Sequence, residues 1–421
     1  MDEAETVTII CSCIPGFETV VLAECKEKLG IQASKDIRGR IKLDISMADI
    51  LKLLNLRSVH HYYVVVEHID EFLNGSETQE ELVSKFAALS GNVNWEKALK
   101  TWKIFKVHRQ AKCKGNDKEQ NANGERKKPK FDTDENVADK NYAEIDPIAA
   151  KEMLSFRVTA TRTGTHQFTS MEAATHIGGG INDLLLWKVD LKHFDIEVVS
   201  NILDNSITLG VQLTKDSQSL RNITHFGPTT LKANISYCLL QLAGIQNGDI
   251  VCDPMCGGGS ISIEGSISSA ASFHVAGDNH EVAVQYAQDN FEAVCGGQKD
   301  LALTNFTLPF SVLRWDVYQL PLRTGCVDRI VTDLPFGKKI GSKERNVFLY
   351  PNALREMARI CRPSGKAVLL TQHRQAMGRA LGRTSWWKVQ EKRMINMGGM
   401  NVTVYVLGRT ADKYVAHDST K

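Results

Sequence analysis

Asp249-Ile250-Val251-Cys252-Asp253-Pro254-Met255-Cys256-Gly257-Gly258-Gly259-Ser260 carries the pattern that decides the fold. A short apolar run ends in an acid, and consecutive glycines follow it. Ile261-Ser262-Ile263-Glu264 can then open a helix. Strand, glycine turn and helix in this order predict the first βα unit of an open α/β sheet. Glycines at such a turn let the backbone take positive φ and come close to a ligand. The dinucleotide fingerprint G-x-G-x-x-G is broken by Ser260, Ile261 and Ser262, and no G-K-[ST] phosphate loop is present. Both departures point away from NAD and ATP, although an ordinary strand-to-helix turn would share the pattern.

Further apolar runs also end in acids. His274-Val275-Ala276-Gly277-Asp278-Asn279 is one, Val312-Leu313-Arg314-Trp315-Asp316 another, and Arg329-Ile330-Val331-Thr332-Asp333 the last. Asp278 follows the glycines by about 20 residues, where an acid commonly accepts hydrogen bonds from ribose hydroxyls. Any one of Asp253, Asp278, Asp316 and Asp333 could merely cap a helix. All of them at regular spacing predict a ligand site at the carboxyl ends of the strands. The last run continues as Leu334-Pro335-Phe336-Gly337. A carboxylate and a backbone carbonyl at a strand's end can accept both N–H groups of a ring-conjugated amine and favour a more pyramidal nitrogen. Proline stiffens such a turn, and the aromatic ring offers a stacking surface to an extruded base.

From about residue 220 to 410 the chain resembles class I S-adenosylmethionine-dependent methyltransferases that act on amino groups. The resemblance implies a cofactor site made by Asp253, Pro254, Cys256, Gly257, Gly259, Asp278, Asn279 and Asp316. Asp278 would hold the ribose and Asp316 would read the adenine amine. The catalytic turn would be Asp333, Leu334, Pro335 and Phe336, with Leu334 contributing its carbonyl where the family motif has a first proline. This Leu form is similar to that of tRNA guanine-N2-methyltransferases. Arg221 to Pro228 would fold over the cofactor, although an interdomain connector would read the same way. Pro351 to Ile360 has helical spacing, Lys366 to Thr371 reads as a strand, and Trp387–Ile395 with Val402–Arg409 reads as a hairpin around Gly398-Gly399.

Upstream, Phe156-Arg157-Val158-Thr159, Gly164-x-His166, Trp187-Lys188-Val189-Asp190 and Asp195-x-Glu197-Val198 together resemble a THUMP domain. Thr169 and Glu172 form a capping box for a helix running to Gly178–Gly180. The resemblance implies that Arg157, Arg162, His166 and Lys188 contact the single-stranded end of tRNA. Lys338 and Lys339, immediately after the catalytic turn, could meet the phosphates of a substrate nucleotide, and an exposed polar loop would read the same way. Each of these side chains alone reads equally well as surface or packing. Val7–Ile10, Gly39–Leu43 and Val59–Glu67 with a helix over Glu18–Leu29 resemble the ferredoxin-like module that precedes THUMP. The expected fold is therefore α/β. A Rossmann-like methyltransferase domain, mainly parallel with one reversed strand, follows α+β ferredoxin-like and THUMP domains. Expected boundaries are 1–95, 96–215 with a disordered lysine-rich insertion about 111–149, 216–410 and a 411–421 tail.

Composition agrees without deciding. At 421 residues the chain has room for two or three domains, and 43% hydrophobic with 24% charged residues is ordinary for a globular protein. The net charge of +2 is no global signature of nucleic-acid binding. No apolar run is long enough for a membrane span, and no signal-peptide pattern starts the chain. The ten cysteines lack zinc-site spacing, so reduced thiols and a cytoplasmic protein, with a nuclear pool allowed, are expected and no metal is needed. By resemblance the substrate is guanosine at position 6 of the tRNA acceptor stem, and the partner is a small zinc-containing activator subunit in a heterodimer. DNA and membrane are not expected partners. The alternatives are a catalytically inactive THUMP-type RNA-binding subunit and an amino-methyltransferase on another RNA.

Overall fold

The computed structural model describes residues 5–120, 154–227, 229–269, 271–296, 308–337 and 342–414. These residues form two sheets. The first contains β1 (Thr6–Cys13), β2 (Ser34–Lys35), β3 (Arg40–Ser46), β4 (Val59–Ile69), β5 (Ser155–Thr163), β6 (Lys188–Val189), β7 (Ile196–Leu203) and β8 (Ser206–Gln212). Their order is β2-β3-β1-β4-β8-β7-β5-β6. The helices α1 (Glu18–Leu29), α2 (Gln79–Leu89), α3 (Glu96–Gln120) and α4 (Ser170–Leu185) belong to this half. Strand β4 joins its two parts: Val64 lies opposite Ile9 on one side and Val211 on the other, and all three are buried. The segments 1–95 and 96–215 thus share one sheet and one apolar core, which runs from Val7 and Ile9 through Phe86, Trp102 and Phe156 to Val211.

The second half contains α5 (Ala233–Ala243), β9 (Ile250–Asp253), α6 (Ser260–Ser268), β10 (Phe273–Asp278), α7 (Glu281–Cys295), β11 (Phe310–Arg314), β12 (Val327–Asp333), α8 (Lys343–Ile360), β13 (Cys361–Thr371), α9 (Arg374–Leu381), β14 (Trp387–Met397) and β15 (Met400–Arg409). The strand order is β11-β10-β9-β12-β13-β15-β14. Strands β9 to β13 run parallel, and β15 is antiparallel to both neighbours, the one reversed strand expected. Gly398 and Gly399 turn β14 into β15 with φ of 56° and 85°, the double left-handed conformation that a two-residue hairpin requires. After β11 the chain returns to the middle of the sheet, which sets β12 beside β9 with Ile330 opposite Cys252. Strand order reverses there, and at such a reversal helices diverge and leave a crevice at the strand ends.

Three expectations need correction. The helix expected to stop at Gly178–Gly180 continues to Leu185. Gly180 serves packing rather than termination, because a Cβ there would strike the Ala87 carbonyl on α2. The helix expected from Pro351 begins at Lys343, with the Ser342 hydroxyl accepting from the Arg345 N–H at 3.2 Å and Pro351 inside it. Burial of Tyr350, Ala353, Leu354 and Met357 offsets the hydrogen bond that proline forfeits. Helix α3 runs to Gln120, into the stretch expected to lack structure, since extending a helix costs far less than starting one. The rest of that insertion lies outside the described residues, as do residues 415–421 of the tail.

The halves are packed together. Ile14, Phe17 and Val20 enter the core made by Leu231, Ile235, Leu239, Val368, Leu370, Ile395 and Val404. Asn396 donates its N–H to the Pro15 carbonyl at 3.1 Å, and Arg393 reaches the Gly16 carbonyl and the Thr19 hydroxyl at 3.2 and 2.7 Å. Gly16 has φ of 104°, and a Cβ on it would collide with the Met394 carbonyl. Gly16→Ala should therefore cost more than about 2 kcal/mol, as strain and overpacking add. Gly248→Ala meets only left-handed strain, with φ of 84° and open space around it, and should cost about 1 kcal/mol. Equal shifts in the thermal unfolding midpoint for the two variants would contradict a tight junction.

Candidate active site

The crevice is built from the ends of β9, β10 and β12. Past Asp253 the loop is stapled to β10 by the Cys256 N–H on the Gly277 carbonyl and closes on itself through the Gly259 N–H on the Cys256 carbonyl, each at 2.9 Å. Gly257 and Gly259 take φ of 51° and 82°. A Cβ on Gly257 would project into open space, whereas Gly259 packs tightly against Ala287 and Ile263. The first glycine thus leaves room for a ligand, and the second lets α6 approach α7. Asp278 accepts the Gly257 N–H at 3.1 Å with one oxygen and the His280 N–H at 3.0 Å with the other. Trp315 lies over Gly277, where any side chain would clash, and donates its indole N–H to the Pro254 carbonyl at 3.0 Å. Asn279 and Asp316 are exposed at the rim, and the Asp316 carboxylate accepts the Tyr318 N–H at 2.9 Å.

Asp253 is 1% exposed, and its Oδ2 has no hydrogen-bond partner. Burial, with the charge of Asp333 adding to it, pushes its carboxyl well above the ordinary range. Burial likewise raises Asp333 to about 7, and Asp278 adds to the shift. Clustered, poorly hydrated acids favour a cationic ligand, whose charge relieves their repulsion. Open space at Gly257, an unpartnered buried oxygen and this acidity together fit an adenosine-bearing sulfonium. Burial also holds the Cys256 thiol far up its range, so it is an inert filler.

The turn after β12 is braced from behind. The Leu334 N–H donates to the Leu370 carbonyl at 2.9 Å, and the Leu334 side chain is buried at 3% exposure. The Pro335 carbonyl accepts from Asn346 Nδ2 at 2.7 Å and from the Tyr350 hydroxyl at 2.8 Å. Tyr350 also lies 2.7 Å from the Thr371 hydroxyl, and Asn346, Tyr350 and Thr371 are fully buried. With both lone pairs engaged, the Pro335 carbonyl has no capacity for a substrate. No hydrogen bond to the Leu334 carbonyl occurs among the described residues, so it and the Asp333 carboxylate remain as acceptors. Phe336 is half-buried on the core that contains Leu231 and Val331. Asn290, 0% exposed, binds the segment over the glycine loop: its Oδ1 accepts the Thr224 and His225 N–H groups at 2.9 and 2.7 Å, and its Nδ2 donates to the His225 and Gly258 carbonyls, each at 3.0 Å.

The RNA-contact candidates divide. Arg157 is committed to Glu197 at 2.7 Å and stacks 4.1 Å from the Phe194 ring centre. His166 binds the Asp204 carbonyl at 2.8 Å and thereby holds the Gly164 turn. Arg162 and Lys188 are exposed, while Lys338 and Lys339 lie outside the described residues. Asn290, Asn346, Tyr350 and Thr371 escaped the sequence reading because no local motif marks them. Trp315 was read only as part of a strand, although its place beside Asp316 was a usable signal.

Residues 221–402 match the family model described as an RMKL-like methyltransferase domain, and residues 132–212 match the THUMP domain model. Over 97% of its length the chain is 39% identical to the tRNA (guanine(6)-N(2))-methyltransferase THUMP3 of Bos taurus, of which it covers 90%. The chain belongs to the THUMP-domain tRNA guanine-N2-methyltransferase family. A tRNA (guanine(6)-N2)-methyltransferase of Thermus thermophilus is 31% identical over 60% of this chain and 72% of its own length. The crystal structure of TrmN from Thermus thermophilus superimposes with a TM-score of 0.70 at 24% identity, covering 96% of this chain and 99% of its own, which shows the same fold. The crevice at β9 and β12 is accordingly the candidate centre of a methyltransferase. Tyr350→Phe removes one of the two bonds on the Pro335 carbonyl, worth about 1 kcal/mol, and should lower kcat about fivefold with KM for the methyl donor unchanged. A rise in that KM alone would show that the brace serves the cofactor side instead.

Proposed function

We propose that this chain transfers the methyl group of S-adenosylmethionine to the exocyclic N2 amine of a guanosine in the tRNA acceptor stem, at position 6. The observation that carries the reading is the turn at Asp333–Phe336, whose Pro335 carbonyl is saturated while the Asp333 carboxylate and the Leu334 carbonyl stay available. When bound, S-adenosylmethionine supplies an electrophilic methyl group on a sulfonium. The glycine loop at Gly257–Gly259, with Asp253, Asp278 and Asp316, would hold it. The guanine, out of its stack, lies on the Phe336 ring. Asp333 and the Leu334 carbonyl each accept one N–H of the amine and aim its lone pair. As nitrogen gains the new carbon it carries an extra proton, which Asp333 accepts and passes to water. Placement in a dry crevice contributes most of the acceleration.

The THUMP match and the relatives that act on guanosine 6 of tRNA support the substrate. Relatives described as U6 snRNA (guanine-N(2))-methyltransferase THUMPD2 cover about half of this chain, 52% for the mouse protein, which makes that RNA the competing substrate to test. A small zinc-containing activator subunit is part of the proposal. Supporting it, β11 is an open sheet edge among the described residues, with Phe273, Val282 and Leu313 exposed near it.

Nucleoside mass spectrometry after incubation with tRNA and with U6 RNA, with and without the activator, tests the assignment. N2-methylguanosine at tRNA position 6 is expected, and its appearance only in U6 RNA would overturn it. Asp333 must be ionised to accept a proton, so kcat/KM should rise with pH through about 7 and then level off. Asp333→Asn should lose ~100-fold or more in kcat and flatten that limb, with donor binding by calorimetry nearly unchanged. Parallel loss of donor binding would mean that Asp333 holds the donor rather than the amine.

A further inference from the structure

Glu264 lies on α6, the helix that the glycine loop opens, and is 0% exposed. Arg57, from the first half, grips it bidentately, Nε to Oε1 at 2.6 Å and Nη2 to Oε2 at 3.0 Å. Two residues of the connector between the halves reach the same carboxylate: Arg221 Nη2 at 2.9 Å and Asn222 Nδ2 at 2.6 Å. Arg221 also donates to the Arg57 carbonyl at 2.6 Å and to the Gln218 carbonyl at 2.7 Å. The Arg57 N–H in turn rests on Glu24 of α1 at 2.7 Å. Asn222 has φ of 67°, a left-handed conformation that its bond to Glu264 helps hold. Beyond it the connector runs to Thr224 and His225, tied by Asn290 to Gly258. Burial alone would raise the Glu264 carboxyl, but Arg57 and Arg221 more than offset it and hold the group at about 2.

One carboxylate therefore joins three bodies: the RNA-gripping sheet through Arg57, the connector through Arg221 and Asn222, and the cofactor helix that carries it. Buried ion pairs are weak stabilisers, since well-packed apolar side chains often do as well. What a forked guanidinium on a carboxylate supplies is orientation. We propose that Glu264, with Arg57 and Arg221, is a positioning residue that sets the distance and angle between the RNA-binding half and the methyl-transfer crevice, and so selects which nucleotide reaches Asp333. This rests on the RNA-methyltransferase reading above. An RNA held at its end on the first sheet meets the crevice at a separation that the junction keeps constant. Loosening the junction changes which base arrives rather than the chemistry at the turn.

The test uses the full chain, with the activator if it is needed, and the variants Glu264→Gln and Arg57→Lys. Lysine keeps the charge of residue 57 but cannot bind two oxygens in a fork. Each enzyme methylates a tRNA transcript, and modified positions are mapped by mass spectrometry. The wild type should modify one position. Both variants should raise the share of methyl groups at neighbouring guanosines at least fivefold, with donor binding within twofold of wild type. If Glu264→Gln does not fold, Arg57→Lys alone decides. A uniform fall in rate with the same site distribution overturns the proposal and leaves the cluster a structural one. If the wild type methylates U6 RNA and no tRNA, the substrate reading fails separately, and the same mapping of modified positions on U6 RNA becomes the readout. A fivefold rise in methylation of neighbouring guanosines supports the junction's role there, and an unchanged site distribution overturns it.

Discussion

A carboxyl group held out of water, Asp253, with the half-buried Asp333 acting on it from the neighbouring strand, is the constraint around which the second half is arranged. The strands that carry them are neighbours because β12 returns to the middle of the sheet and lies against β9. Asp253 does not stay ionised easily at its depth, and the charge of Asp333 raises the cost, while Asp333 is raised by its own burial and by Asp278. A crevice of this kind repels anions and welcomes a cationic ligand with an amine beside it. The glycine loop leaves the space, and Asp253 and Asp278 supply the attraction. Burial also raises the Asp333 carboxyl to about 7, close to neutral pH.

Groups packed behind the turn decide which of its acceptors stay free. Asn346, Tyr350 and Thr371 occupy the Pro335 carbonyl from the rear. By elimination, the acceptors left at the front are the Asp333 carboxylate and the carbonyl one residue before Pro335. Leucine at 334 is compatible with this division of labour: its backbone N–H joins β13 through the Leu370 carbonyl, a bond proline could not make, and its side chain fills the core. The departure from a double-proline turn thus exchanges ring stiffness for a hydrogen bond and buried apolar surface.

The first half reaches the crevice through contacts rather than through a free tether. Strand β4 binds its two portions into one sheet, and the loop before α1 sinks apolar side chains into the second core. At the same junction Arg57 and Arg221 converge on Glu264. The first sheet is thereby packed directly against the half that holds the crevice.

The strand-glycine-helix pattern at Asp249–Glu264, the acids at the strand ends and the hairpin at Gly398-Gly399 were all legible in the chain, because each is a local rule about φ, alternation or turn chemistry. So was the capping box at Thr169 and Glu172. What only the tertiary structure decided is which groups meet across long separations. Residues 253 and 333 become neighbours through a crossover, and 57 meets 264 across the junction. Asn346 and Tyr350 acquire their role only once α8 packs behind the turn. Arg157 and His166, suited by type to bind RNA, were already committed to Glu197 and the Asp204 carbonyl. Residue type declares what a side chain can bind, but the fold sets which partner lies within 3 Å, and a hydrogen bond depends on that distance and angle.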